Sequence, residues 1–336
     1  MVALLPESRA TERPGLDPLG VLSSSAGLVG VTYGLIAAGQ HGWGATSALL
    51  PLGAGAVTLV AFVLWERWLS QRPGGQPLIP LVIFRSPSFT WGTLLAGAGN
   101  LTIVGLLFTI PQYFQAILGA DAQGAGLRLL PLIAGLVLGA VPADRLAARI
   151  GAKFAVALGF ALLAAGLTAG ATTGVGTGDG FAAVWTAVCG AGVGLALATA
   201  TSRALAELSA ERSGVGSAVM QAVQKLGSPF GAAILGSALN ATYRSQARMA
   251  GVPASAIAAV KTSVFTGVTV AHQLRSAALL HAVRGAFVAG MDSALGIAAG
   301  IALAGLVLAL LFLPQRSGAN RAIAAAGVEL EHEGVA

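Results

Sequence analysis

Charge, cysteine and aromatic rings are all scarce in this chain, and each scarcity removes a class of protein. Charged residues fill 10% of the 336 positions, too few to clothe a soluble domain. One cysteine, Cys189, leaves no intrachain disulfide and no cysteine metal cluster. The histidines, His41, His272, His281 and His332, stand far apart without metal-ligand spacing, so no metal or other cofactor is expected. The net charge of +6 comes from basic residues scattered between apolar runs rather than gathered on one face, which argues against a nucleic-acid partner. No Ser/His/Asp, Glu/His or paired-carboxylate constellation falls at membrane depth, so no enzyme is expected.

Apolar residues dominate instead. They make up 55% of the chain, mean hydropathy is +0.80, and 47 residues are glycine, the residue that lets membrane helices approach backbone to backbone. The expected solvent is a lipid bilayer. Met1 to Leu5 lacks both a basic leader and an apolar core of signal-peptide length, so the first spanning helix is expected to direct its own insertion.

A helix needs about 20 apolar residues to cross a hydrocarbon core of roughly 30 Å. Eight stretches qualify: about 19–39, 48–65, 91–111, 126–143, 154–172, 181–201, 214–238 and 286–313. Lys and Arg alternate sharply between their connections, with twelve in the segments on one side and none in the short loops QHGWGATS, QAILGADAQG and TGVGTGDG on the other. By the positive-inside rule both termini are cytoplasmic. The loop 240–285 departs from this, with Arg244, Arg248, Lys261, Arg275 and Arg284 on the outer side. The spacing of Ile257, Val260, Val264 and Val268 predicts a folded or interfacial helix there. ERWLSQRPGGQPLIPLVIFRSPSF, rich in proline and charge, is too broken to span and reads as a cytoplasmic linker. The six helices after it divide into two triplets, and since three crossings invert the topology the triplets are expected to be inverted repeats.

Polar residues at membrane depth are few. Gln221, Gln224, Lys225 and Ser228 fall at i, i+3, i+4 and i+7 and share a face. A lysine at a helix centre costs roughly 2.5 to 3.5 kcal/mol, so this face either lines a wet cavity or lies where Lys225 snorkels to the headgroups. Asn100, Gln112 and Gln115 are open to two roles, contact with a substrate or hydrogen bonding between helices. No Asp or Glu is expected in the middle of any helix. The turn GAVPADRLAARIGAKF holds Gly139, Asp144, Arg145, Arg149 and Gly151, either an ordinary positive-inside loop or a charge cluster that locks one conformation of a rocking bundle. GAGVG at 190–194 imitates a dinucleotide-binding run, but it sits inside an apolar helix with no preceding strand. Asn240-Ala241-Thr242 fits a glycosylation acceptor, and the tail 321–336 is expected to be disordered and cytoplasmic.

Glycine, Asp-Arg, Arg and Gly in that turn resemble the short loop motif of the major facilitator superfamily, as repeated in its second half. Further stretches are similar to its fourteen-helix drug:proton antiporter branch. LLPESR resembles the end of a sixth helix, and LDPLG a lead-in to two extra linker helices. Gly42-Trp43, Trp65-Glu66-Arg67 and PLIPLVIFRSPSF follow in order, as do IPQYFQAILGADAQGAGLRLLP and the glycine-rich GVGSAVMQAVQKLGSPFGAAILGS.

The resemblance implies an all-α polytopic protein of eight transmembrane helices that lacks the first six of its family. A cytoplasmic junction at 1–18 precedes two linker helices at 19–66 and a linker at 67–90. A six-helix half at 91–313 and a cytoplasmic tail at 314–336 complete it. The implied activity is export of lipophilic drugs or antibiotics from a plasma membrane, coupled to protons and inactive without an N-terminal half as partner. The substrate-cavity candidates are Asn100, Gln112, Gln115, Gln221, Gln224 and Lys225. The alternative is a non-transporting scaffold or regulatory half-transporter that associates with an intact homologue.

Overall fold

The computed structural model describes residues 17–72, 75, 77–246 and 254–315. Among these residues there is no strand. The stretch resembling the end of a sixth helix and the tail 321–336 lie outside the described residues.

Several helices begin where the sequence supplies a side-chain cap. Helix α1 (Pro18–His41) has Pro18 in its first turn, and Asp17 Oδ1 accepts the Gly20 N–H at 2.9 Å. It returns as α2 (Thr46–Ser70), forming a hairpin. A 3-10 turn (Leu81–Arg85) leads into α3 (Pro87–Gln112), where Ser86 caps the Phe89 N–H and Pro87 starts the helix. Pro111 disturbs the end of α3, which continues as one π turn (Tyr113–Ile117). The next crossing is broken into α4 (Ala122–Leu127) and α5 (Leu130–Ala140), with Pro131 opening the second piece. The short amphipathic α6 (Ala143–Ile150) ends at Gly151, whose φ of +89° only glycine adopts freely, and α7 (Ala152–Gly170) follows at once.

Helices α8 (Asp179–Ala206) and α9 (Ala210–Gln246) are long, and α10 (Ala254–Thr262) and α11 (Val264–Gln273) lead to α12 (Ala277–Phe312). Seven helices are long and apolar enough to cross a membrane. The eighth expected crossing is α9. Its composition is too polar for that class, but it has 37 residues and packs along α3, α12 and α1. Of its polar groups, the Gln224 carbonyl and the Ser228 hydroxyl meet α3, while Gln221 and Lys225 are exposed.

Helix α3 packs on α9 as α5 packs on α8, and α7 packs on α12. This exchange of partners is what a two-fold axis between the triplets α3–α5–α7 and α8–α9–α12 produces. The core lies between α3, α7, α8 and α12 and is filled by Trp185, Tyr113, Phe114, Phe160 and Phe287.

Two expectations are corrected here. The long loop expected at 240–285 is shorter: α9 runs to Gln246 and α12 begins at Ala277, while α10 and α11 lie where the apolar spacing predicts a folded or interfacial helix. Tyr243 ties these pieces together, its buried hydroxyl donating to the Val260 carbonyl at 2.8 Å. Because α12 begins at Ala277 rather than near 286, Asp292 lies well inside a 36-residue helix. The expectation of no helix-interior acid therefore fails, and Asp292 Oδ1 is buried without a hydrogen-bond partner among the described residues. The apolar run expected from 286 is preceded by His281 and Arg284, and the helix extends upstream of it because α11 packs on its first turns, Gly267 lying against Val283.

Candidate functional site

The polar residues of α3 and α9 meet where α9 is weakest. Pro229 has no N–H to give the carbonyl one turn back, so the helix ladder is open at that level. Asn100 on α3 reaches α9 beside this break, at the turn just before Pro229. Its Nδ2 donates to the Gln224 carbonyl at 2.6 Å and to Ser228 Oγ at 2.9 Å. Approach this close needs small residues on both helices: a methyl group at Gly227 would sit 2.7 Å from the Gly97 carbonyl oxygen.

The predicted site residues separate into three groups. Asn100, Gln224 and Ser228 form the interhelical seam. Gln221 and Lys225 lie one turn apart on a neighbouring face of α9 that is exposed. No hydrogen bond or ion pair reaches Lys225 among the described residues. Gln112 and Gln115 are elsewhere, Gln112 about 18 Å along α3 from Asn100 at 1.5 Å per residue and Gln115 beyond it in the π turn. There the Gln112 amide Nε2 donates to its own helix, at the Phe108 carbonyl. The turn between α5 and α7 is also resolved. Gly139 lies flush against Ala191 of α8, while Asp144, Arg145 and Arg149 are exposed on α6, with no ion pair among the described residues. Arg128 at the start of the broken crossing pairs with Asp179 at 3.0 Å, both partly exposed.

Sequence reasoning missed two features. A cavity of about 670 Å3 opens between the end of α1 and α9, walled by Leu35, Phe108 and Ala233, with Asn240 and Arg244 at its polar side. Its lid is the turn after α1, where Trp43 Nε1 donates to Ser237 Oγ at 3.2 Å. The Gly42-Trp43 pair was the signal for it. Across the molecule, Ser86 and Ser88 at the start of α3 both donate to the Glu207 carboxylate at the end of α8, at 2.6 and 2.8 Å. Nothing in local spacing marks Glu207, because its partners lie about 120 residues away.

The sequence pattern of the Major Facilitator Superfamily matches residues 19–232, more than half of the chain. The chain belongs to the Major Facilitator Superfamily. Curated members similar to it include the lincomycin resistance protein of Listeria innocua, 33% identical over 119 residues, 35% of this chain and 24% of that relative. The cephamycin export protein of Amycolatopsis lactamdurans is 36% identical over 129 residues, 38% of this chain and 25% of that one. The tetracenomycin C resistance and export protein of Streptomyces glaucescens is 31% identical over 140 residues, 41% and 25% of the two chains. The chain spans about a quarter of the length of each of these curated relatives in the matched regions. A solved structure, a bacterial homologue of the human lysosomal transporter Spinster in an inward-facing and occupied conformation, shares the superfamily fold. Its TM-score is 0.56 at 17% identity, over 88% of this chain and 65% of that one.

Proposed function

We propose that this chain is the C-terminal, eight-helix part of a fourteen-helix, proton-coupled exporter of lipophilic drugs or antibiotics. Both ends lie on the cytoplasmic side of the plasma membrane. Helices α1 and α2 are the linker pair, and α3 to α12 form one half of a cavity that works by alternating access. Asn100, Gln221, Gln224 and Lys225 belong to the cavity side, and Gln112 and Gln115 to its outer rim. Gly139, Asp144, Arg145, Arg149 and Gly151 form a hinge at the cytoplasmic turn. A six-helix N-terminal half supplies the other wall and most of the proton-coupling groups.

The observation that carries this reading is the open face of α9. An exposed glutamine and an exposed lysine on a membrane-spanning helix are costly against lipid, and they are accounted for if a second half covers them or water fills the space between. The names of the three relatives above, resistance or export proteins, support drugs as the cargo.

Resistance of a drug-sensitive bacterial host tests it. The chain alone is expected to give none, and co-expression with a six-helix N-terminal half is expected to give resistance to lincomycin or a lipophilic dye. Resistance from the chain alone would sink the half-cavity reading. No resistance from a correctly inserted pair would favour the scaffold alternative. In the active pair, Lys225→Ala is expected to lower export, and unchanged export would reduce Lys225 to an anchor. Labelling of Gly44→Cys and Gln315→Cys should occur from opposite sides, against a background in which Cys189 is buried.

A further inference from the structure

Two acids far apart in sequence meet where the linker hairpin begins and ends. Asp17 precedes α1, Glu66 lies near the end of α2, and both are buried, at 8% and 0% exposure. Three of their four oxygens are engaged by N–H donors. Asp17 Oδ1 accepts from the Gly20 amide at 2.9 Å, and Asp17 Oδ2 from Trp65 Nε1 at 3.0 Å. Glu66 Oε2 accepts from the Ile79 amide at 3.0 Å, which straps the linker to the hairpin. The fourth, Glu66 Oε1, has no donor among the described residues. It faces the Asp17 carboxyl, and the two side chains are within hydrogen-bonding reach of each other. Gly20 floors the contact, for a methyl group there would lie 2.8 Å from Glu66 Oε1 and against Asp17 Oδ2 as well.

Two ionised carboxylates are acceptors only, and a buried pair without a cation repels. Among the described residues, the elements around the pair offer no neutralising cation. On α2, Arg67 turns with Arg85 of the 3-10 turn into a separate cavity, and Arg72 stacks on the Trp68 ring at 3.4 Å. The first turn of α1 holds no further acid, and Arg212 and Lys225 of α9 are exposed. The charged group that acts on Glu66 is Asp17 itself. A metal ion fits poorly, since calcium and magnesium take about six or more oxygen ligands and this site leaves one oxygen free of donors.

We propose that Asp17 and Glu66 form a one-proton site. The proton resides on Glu66 Oε1 and is donated to the Asp17 carboxylate, whose oxygens accept from the Gly20 amide and Trp65 Nε1. While the proton is bound, the start of α1, the end of α2 and the linker at Ile79 are locked together. Its release leaves two facing anions in a buried space and loosens all three. The ligand is a proton drawn from the side of the membrane on which the chain's linker lies. The site stands independently of whether the chain exports drugs.

Infrared difference spectra of the full chain in lipid nanodiscs test this. At neutral pH the wild type is expected to show a protonated-carboxyl band, sensitive to deuterium exchange, that is lost in Glu66→Gln, whose amide replaces the O–H donor and keeps the fold. Asp17→Asn is expected to lose the same band, because Glu66 then ionises against an amide donor, and it serves if Glu66→Gln does not fold. Trp65 emission is expected to shift in the wild type as the band titrates away, and to stay constant in Glu66→Gln. Identical carboxyl bands in the wild type and in both variants would overturn the proposal. So would sodium or calcium retained by the wild type and lost in Glu66→Gln without any acid band.

Discussion

The linker hairpin and the body that follows it lie in the same bilayer and are held together differently. In α1 and α2, 28% and 17% of the apolar stretch is buried by protein, against 56% in α3, α7 and α8 at the centre of the body. The body's α12 and α4–α5 crossing, at 33% and 22%, are nearly as open as the hairpin. Val57, Val60 and Leu64 on α2 are well over a third exposed, which would be a liability in water and costs nothing against lipid tails. The hairpin is joined along one stripe of small residues and is fastened at its end by Asp17, Trp65 and Glu66. The body interdigitates aromatic side chains in a core and places polar cross-links such as Asn100 at depth. A membrane helix thus needs only one protein-packed face to be held, and its polar groups mark where that holding is specific.

Substitutions that fill the close approaches should break the two regions unequally, and the largest effect belongs to the body. Gly231 of α9 already lies against the Leu101 carbonyl, which is backbone and unable to rotate away. Gly231→Leu is expected to cost about 3 kcal/mol, seen as a large fall in the melting temperature of the whole protein. Gly55→Leu is the matching change in the hairpin, where an added methyl would come 2.5 Å from the Val31 nitrogen. It is expected to part α1 from α2 while the body melts as before, giving faster protease cleavage within the hairpin alone. Equal global destabilisation by both would show that hairpin and body form one cooperative unit.

Removing the seam is a middle-sized perturbation. Asn100→Ala should cost about 1 kcal/mol, and a double-mutant cycle with Ser228→Ala should show a coupling of about 0.6 kcal/mol, read from thermal or denaturant unfolding. Between hairpin and body, Trp43→Phe loses one exposed hydrogen bond to Ser237 and is expected to cost about 0.5 kcal/mol. Arg128→Ala, which removes an ion pair 34% and 57% exposed, should change stability by less than about 0.5 kcal/mol. A larger effect there would mean that Arg128 and Asp179 are shielded in the membrane-embedded protein.

Much of the architecture was legible because it is written in local features. Apolar run length located most of the crossings, Asp17 and Ser86 stand at helix starts, and Pro229 interrupts α9. The extent of α12 was not legible, since its first turns have no long apolar run and are held by α11. The grouping of the candidate site was half legible. Helical spacing put Gln221, Gln224, Lys225 and Ser228 near one another, yet it did not reveal that Gln224 and Ser228 engage Asn100 while Gln221 and Lys225 stay open.

Composition and periodicity alone determine that this is an all-helical membrane protein, because the cost of burying an unpaired backbone in lipid leaves helices as the economical answer to such long apolar runs. Which polar groups meet is decided only by the fold. Asp17 finds Glu66 across 49 positions, and Asn100 finds Ser228 across 128, and no local rule connects them. Helix packing brings such pairs together, and the low-polarity surroundings then make each contact matter.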